Sequence, residues 1–179
     1  MIYKVVRYMN NPILERPVAP VRDFDTRDLH ALVDDMFETM HAAHGVGLAA
    51  PQIDIDQRIT VIDVSGANTD DDDEKPEPEP IVLINPEIIH KAGKQTGEEG
   101  CLSIPGFREP VSRAKHVVVR AQDVKGRHFE IPGEALLARA MQHEIDHLNG
   151  ILFINHLSSL KRDLIKRKIR RLIKEGDWD

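Results

Sequence analysis

The sequence predicts an antiparallel α+β fold, and three observations carry that expectation. Its Val- and Ile-rich runs follow one another in hairpin order, helical patterns lie at the two ends instead of alternating with strands, and 179 residues suffice for one core without disulfides. No internal repeat is evident.

Asp25 or Thr26 is placed to cap a helix in which Leu29, Leu32, Val33, Met36, Phe37 and Met40 recur at helical spacing, ending before Gly45. Arg58 to Val64 and Ile81 to Ile89 read as two strands. Between them Thr69 to Pro80, TDDDDEKPEPEP, has nothing to bury and reads as a mobile acidic loop, without the Asp/Gly spacing of a calcium site. Lys115 to Asp123 and Arg127 to Ile131 form a hairpin turning at Gly126, expected as a second small sheet. Pro132-Gly133 then punctuates, and Glu134 to Asn149 reads as a helix stopped by Gly150.

From Ser158 the pattern is a basic amphipathic helix, with Ile165, Ile169, Leu172 and Ile173 as its stripe and Arg167, Arg170 and Lys174 pointing away. Residues 1–179 are therefore expected to form a single catalytic domain, with 69–80 as the acidic loop and 158–175 as the basic helix.

Hydrophobic residues are 41% and charged residues 30% of the chain, and no apolar run approaches the roughly 18 needed to span a bilayer, so no membrane role is expected. The first residues lack the features of a leader, which points to the cytoplasm. A net charge of -6 disfavours DNA, but the signs are segregated along the chain. A monomer is expected.

The chemistry concentrates in His143-Glu144-Ile145-Asp146-His147. On a helix, histidines at i and i+4 project from one face and chelate one ion. A catalytic site needs three protein ligands and an open position. Downstream, His156, Asp163, Glu175, Asp177 and Asp179 are available, but the third-histidine position of metzincin proteases falls on Phe153, three residues before His156. Upstream, Cys101 is the chain's only cysteine, and a thiolate with two imidazoles is a sound ligand set for a borderline divalent ion. Cys101, His143 and His147 are thus the expected ligands, with Glu144 as general acid/base.

Gly45-Val46-Gly47-Leu48-Ala49-Ala50-Pro51-Gln52, Glu99 to Ser103, and Gln142 to Gly150 (QHEIDHLNG), taken together and in this order, resemble the peptide deformylases. The likeness runs from Tyr3 to Lys174 and includes Asn11-Pro12-Ile13-Leu14 and Ile84-Asn85-Pro86; the acidic run is the main departure. The resemblance implies antiparallel sheets packed around a central HExxH helix. It also implies removal of the N-formyl group from the initiator methionine of nascent polypeptides in a bacterial cytoplasm. It makes Fe2+ the native ion, with Zn2+, Ni2+ or Co2+ able to substitute, and gives the Gln52 amide and the Leu102 N–H as oxyanion donors. Gly47 is implied to admit the substrate backbone, and Val46, Leu102, Leu136 and Ala140 to lie near an apolar methionine pocket. Glu99 is implied to pair with Arg113, Asp146 is a further supporting candidate, and the basic helix is implied to dock on the ribosome near the exit tunnel.

Two rivals make different demands. A zinc endopeptidase needs a downstream third ligand, and a structural metal site needs a fourth protein ligand, for which no second cysteine exists.

Overall fold

A computed structural model describes residues 1–67 and 76–179. The acidic stretch expected as a loop therefore lies outside the described residues up to residue 75, and its remainder, 76–80, is exposed.

Helix α1 (Arg27–Ala42) starts where its cap is expected, with Thr26 Oγ1 accepting from the Leu29 N–H at 3.1 Å. It ends at Ala42, before Gly45, as expected. The left-handed residue after it is His44 (φ 56°), not Gly45; a Cβ on Gly45 would meet Leu102 Cδ1 at 2.9 Å, so that glycine provides space for a neighbouring side chain.

Strands β1 (Gly47–Ala49), β2 (Ile59–Ile62), β3 (Ile81–Ala92), β6 (His116–Gln122) and β7 (His128–Glu134) form one antiparallel sheet in the order β1-β2-β3-β6-β7. The β6–β7 hairpin turns at Gly126 (φ 82°) as expected, but it is not a separate sheet, because β6 pairs along β3. The second sheet consists of β4 (Gln95–Cys101) and β5 (Ile104–Arg113). Strand β7 runs through Pro132 and Gly133, and so α2 (Leu136–Leu148) begins two residues later than expected. Pro132 sits on an edge strand, where its missing N–H costs no ladder bond.

Period-two alternation covers both faces of the large sheet. Ile59, Val61 and Ile84 pack with Leu29, Val33, Met36 and Met40 of α1, while Ile62 and Leu83 pack with Ala138, Met141 and Ile145 of α2. A third cluster joins Leu148, Ile104, Val111 and Phe153 to α3 (Ser159–Glu175) and Trp178.

In α3, Ile165 and Ile169 are buried, but Ile173 is 41% exposed. Each fourth residue advances about 40° around a helix, which carries Ile173 off the face that Ile165 defines.

Gly150 closes α2 at φ 76°, and a Cβ there would lie 2.6 Å from the Arg16 backbone nitrogen. Helix α2 has Ala138 to Ile145 as well as His147 and Leu148 buried. Five of those residues, Arg139, Gln142, His143, Glu144 and His147, are polar, and each needs a partner there.

Candidate metal centre

The partners converge from β4 and its turn. His147 Nε2 lies 3.4 Å from Cys101 Sγ and 3.2 Å from His143 Nε2, and all three donor atoms fall within 4.8 Å of one another. Two imidazole lone pairs and a sulfur at these separations repel unless they share positive charge, so the donor set fits a divalent cation. None of the downstream alternatives joins this group among the described residues. His156 is engaged elsewhere, 2.8 Å from Asp146 Oδ2 and 3.3 Å from Arg113 Nη1.

The electrostatics agree with this pull toward a shared charge. Burial alone would push the Cys101 thiol up, but the adjoining His147 and His143 rings bring it down to about 5, so the thiolate prevails at neutral pH. Burial would depress His143, yet Cys101 and Glu99 raise it well above the ordinary imidazole value. His143 Nδ1 is fixed by Glu99 Oε1 at 2.8 Å, which turns Nε2 toward the cluster.

Glu99 is the hub of a buried ion network. Arg113 grips it through Nε at 2.9 Å and Nη2 at 2.8 Å, and reaches Asp146 with Nη1 at 2.6 Å. Arg139 adds a second guanidinium to the same carboxylate. Burial works against ionisation of Glu99, but the hydrogen bonds from Arg113 and His143 outweigh it and hold the carboxyl far below the usual range.

Glu144 is as buried as Glu99 but lacks its partners. It is buried, its Oε2 has no hydrogen-bond partner, and burial raises its pKa. A Cβ on Gly47 would meet Glu144 Oε1 at 2.7 Å, so the glycine of β1 provides the room in which this carboxylate sits.

Gln52 is fully positioned. Its Oε1 accepts from the Ala49 N–H at 2.9 Å, while Nε2 donates to Ser103 Oγ at 3.2 Å and to Cys101 Sγ at 3.5 Å. Val46, Gly47, Gln52, Cys101, Leu102, Leu136, Ala140, His143 and Glu144 all line one cavity of about 900 Å³, large enough for a peptide terminus. His147 is not among its lining residues and lies behind them, with its Nδ1 buried and unpartnered.

Arg139, Ser103 and Arg7 were not anticipated from the sequence. Arg139 carried a usable signal, since it stands four residues before His143 and so on the same helical face. Ser103 lies in the Glu99 to Ser103 segment without an assigned role there, and Arg7 had no signal.

Known proteins resemble the chain over most of its length. The sequence model of the family described as Polypeptide deformylase matches residues 2–163. Peptide deformylase of Acidobacterium capsulatum is 55% identical over 178 residues, 99% of each chain. The enzyme of that name from Alkalilimnicola ehrlichii is 48% identical over 93% of this chain and 88% of its own. Among solved structures, a peptide deformylase from Legionella pneumophila has a TM-score of 0.85 at 44% identity, covering 100% of this chain and 99% of its own. One from Ehrlichia chaffeensis in complex with actinonin has a TM-score of 0.84 at 36% identity, covering 95% and 96%.

Proposed function

The chain belongs to the polypeptide deformylase family, and from that premise we propose a role for each residue of the site. The enzyme removes the N-formyl group from the initiator methionine of nascent polypeptides and releases formate. One observation carries the assignment of roles: three converging metal donors lie beside a buried carboxylate that has no partner.

In this reading Cys101, His143 and His147 hold one divalent ion, which supplies electrophilic activation of water and of the formyl oxygen. Glu144 Oε2 takes the proton as water attacks the formyl carbon, and returns it to the amine nitrogen as the C–N bond breaks. Burial raises its pKa, which favours holding the proton between the two halves of that transfer. The Gln52 N–H that donates to Cys101 Sγ at 3.5 Å turns to the developing oxyanion together with the Leu102 N–H. Val46, Leu136 and Ala140 take the methionine side chain. Glu99, held by Arg113 and Arg139, orients His143.

We take Fe2+ as the native ion, with Zn2+, Ni2+ or Co2+ able to replace it, in a monomeric, single-domain cytoplasmic enzyme. Anaerobically purified protein is then expected to contain iron and to release formate and a free amine from a formyl-Met peptide, with activity that decays in air. Equal activity of aerobic and anaerobic preparations would exclude iron, and cleavage of internal peptide bonds would favour the endopeptidase.

We further propose that α3 docks on the ribosome near the exit tunnel. Arg167, Arg170 and Lys174 are exposed, while Ile165, Ile169 and Trp178 are part of the core, so truncation at Ser158 would damage the fold. Reversing those three charges to Glu is expected to weaken salt-sensitive co-sedimentation with ribosomes while leaving kcat/KM on short formyl peptides unchanged. Unaltered co-sedimentation would exclude this surface. Among the described residues no helix is long and apolar enough to cross a membrane.

A further inference from the structure

The turn that carries Leu102 is held from outside. Cys101 and Ile104 pair across the β4–β5 hairpin, leaving Leu102 and Ser103 as a two-residue turn. Two-residue hairpins usually adopt primed turns with positive φ, whose twist matches the flanking strands. Neither Leu102 nor Ser103 has positive φ, so this turn lacks that local preference.

What secures it is the extended segment near the start of the chain. Arg7 Nη1 donates to the Leu102 carbonyl at 3.0 Å, and the Tyr8 N–H donates to the Ser103 carbonyl at 2.9 Å. One residue earlier, the Val6 N–H donates to the Gln52 carbonyl at 2.8 Å, and Gln52 itself donates to Ser103 Oγ. Three consecutive residues thus tie the loop of Gln52 to the turn of Leu102, two segments about fifty positions apart in the chain. Tyr8 is buried and Arg7 half-buried, so the backbone of the strut is anchored while the guanidinium spans to the turn.

We propose that Val6–Tyr8 is the element that sets the spacing of the two oxyanion donors, with Arg7 as a positioning residue for the Leu102 N–H. This rests on the reading of Gln52 and Leu102 as those donors. Arg7 acts through the turn and touches neither the substrate nor the metal donors. Its effect falls on the transition state, where the oxyanion forms, more than on substrate binding.

The test compares wild type, Arg7→Met and Arg7→Lys, each at full metal loading, in a formate-release assay on a formyl-Met peptide. Arg7→Met is expected to lower kcat about tenfold with KM within about twofold, because a donor displaced by a fraction of an ångström loses alignment. Arg7→Lys keeps a charged donor and is expected to recover most of that loss. Hydrogen exchange at the Leu102 amide should quicken in Arg7→Met while exchange in α2 stays as in wild type, a pattern that general destabilisation would not give. Wild-type kcat in Arg7→Met, or equal impairment in Arg7→Lys, overturns the proposal. Should Arg7→Met fail to fold, Arg7→Gln, too short to reach the carbonyl, replaces it with the same expectation. Absence of formate release by wild type would instead refute the function itself.

Discussion

Glu144→Ala is expected to keep its metal and lose kcat by about 100- to 10,000-fold, the usual worth of a positioned general acid/base. The ligands stay in place because His143 and His147 are set by α2 and by Glu99, not by Glu144. The substitution also removes a buried carboxylate with a partnerless oxygen, so stability should not fall and is expected to rise slightly. Glu144→Gln keeps the shape without the proton acceptor and should be equally slow. Metal analysis beside single-substrate kinetics checks this; near-normal kcat with a full complement of metal would remove Glu144 from the mechanism.

Glu99→Ala is expected to have the largest effect on stability. It leaves Arg113, whose side chain is 4% exposed, and Arg139, 9% exposed, without their shared anion. Stranding buried charge in this way costs about 3–5 kcal/mol. For a chain of this size that is roughly a 10 °C fall in Tm. Metal affinity should fall about 10- to 100-fold as well, since His143 loses the group that orients it. Glu99→Gln retains the shape and should be intermediate. The pH dependence has a definite sign. The folded-state pKa of Glu99 is depressed, so its contribution is complete above the unfolded carboxyl value of about 4.3 and is lost as pH falls toward the folded value. Urea melts across that acid range should be flatter for Glu99→Gln than for wild type, and a Tm for Glu99→Ala within a degree or two of wild type would contradict the account.

The parts of this molecule that the sequence disclosed are those in which one periodicity and one cap act together. Thr26 with the Leu29–Met40 pattern sufficed for α1, and the histidine pair marked α2 and the face that meets Cys101. Strands β4 and β5 were hidden because QTGEEGC and IPGFREPVSR are poor in β-formers; they are strands because they pair with each other and bury Glu99, Ile104 and Val111. The role of Pro132-Gly133 was misread for a related reason, since an edge strand tolerates residues that elsewhere mark a break. Cys101 was legible as a ligand candidate because it is the chain's only thiol, and it lies beside both histidines. Arg7 was not, because a lone arginine in an aperiodic segment says nothing about which carbonyl it will reach from 95 residues away.

The central claim, one catalytic ion held by Cys101, His143 and His147, is tested most directly by anaerobic reconstitution. Metal is stripped with a chelator, Fe2+ is titrated back, and formate release from a formyl-Met peptide is followed in wild type and in Cys101→Ala. The account predicts negligible activity without metal, a rise that saturates at one equivalent in wild type, and no recovery in Cys101→Ala. Full activity of the stripped protein, or equal recovery of the variant at one equivalent, would contradict it.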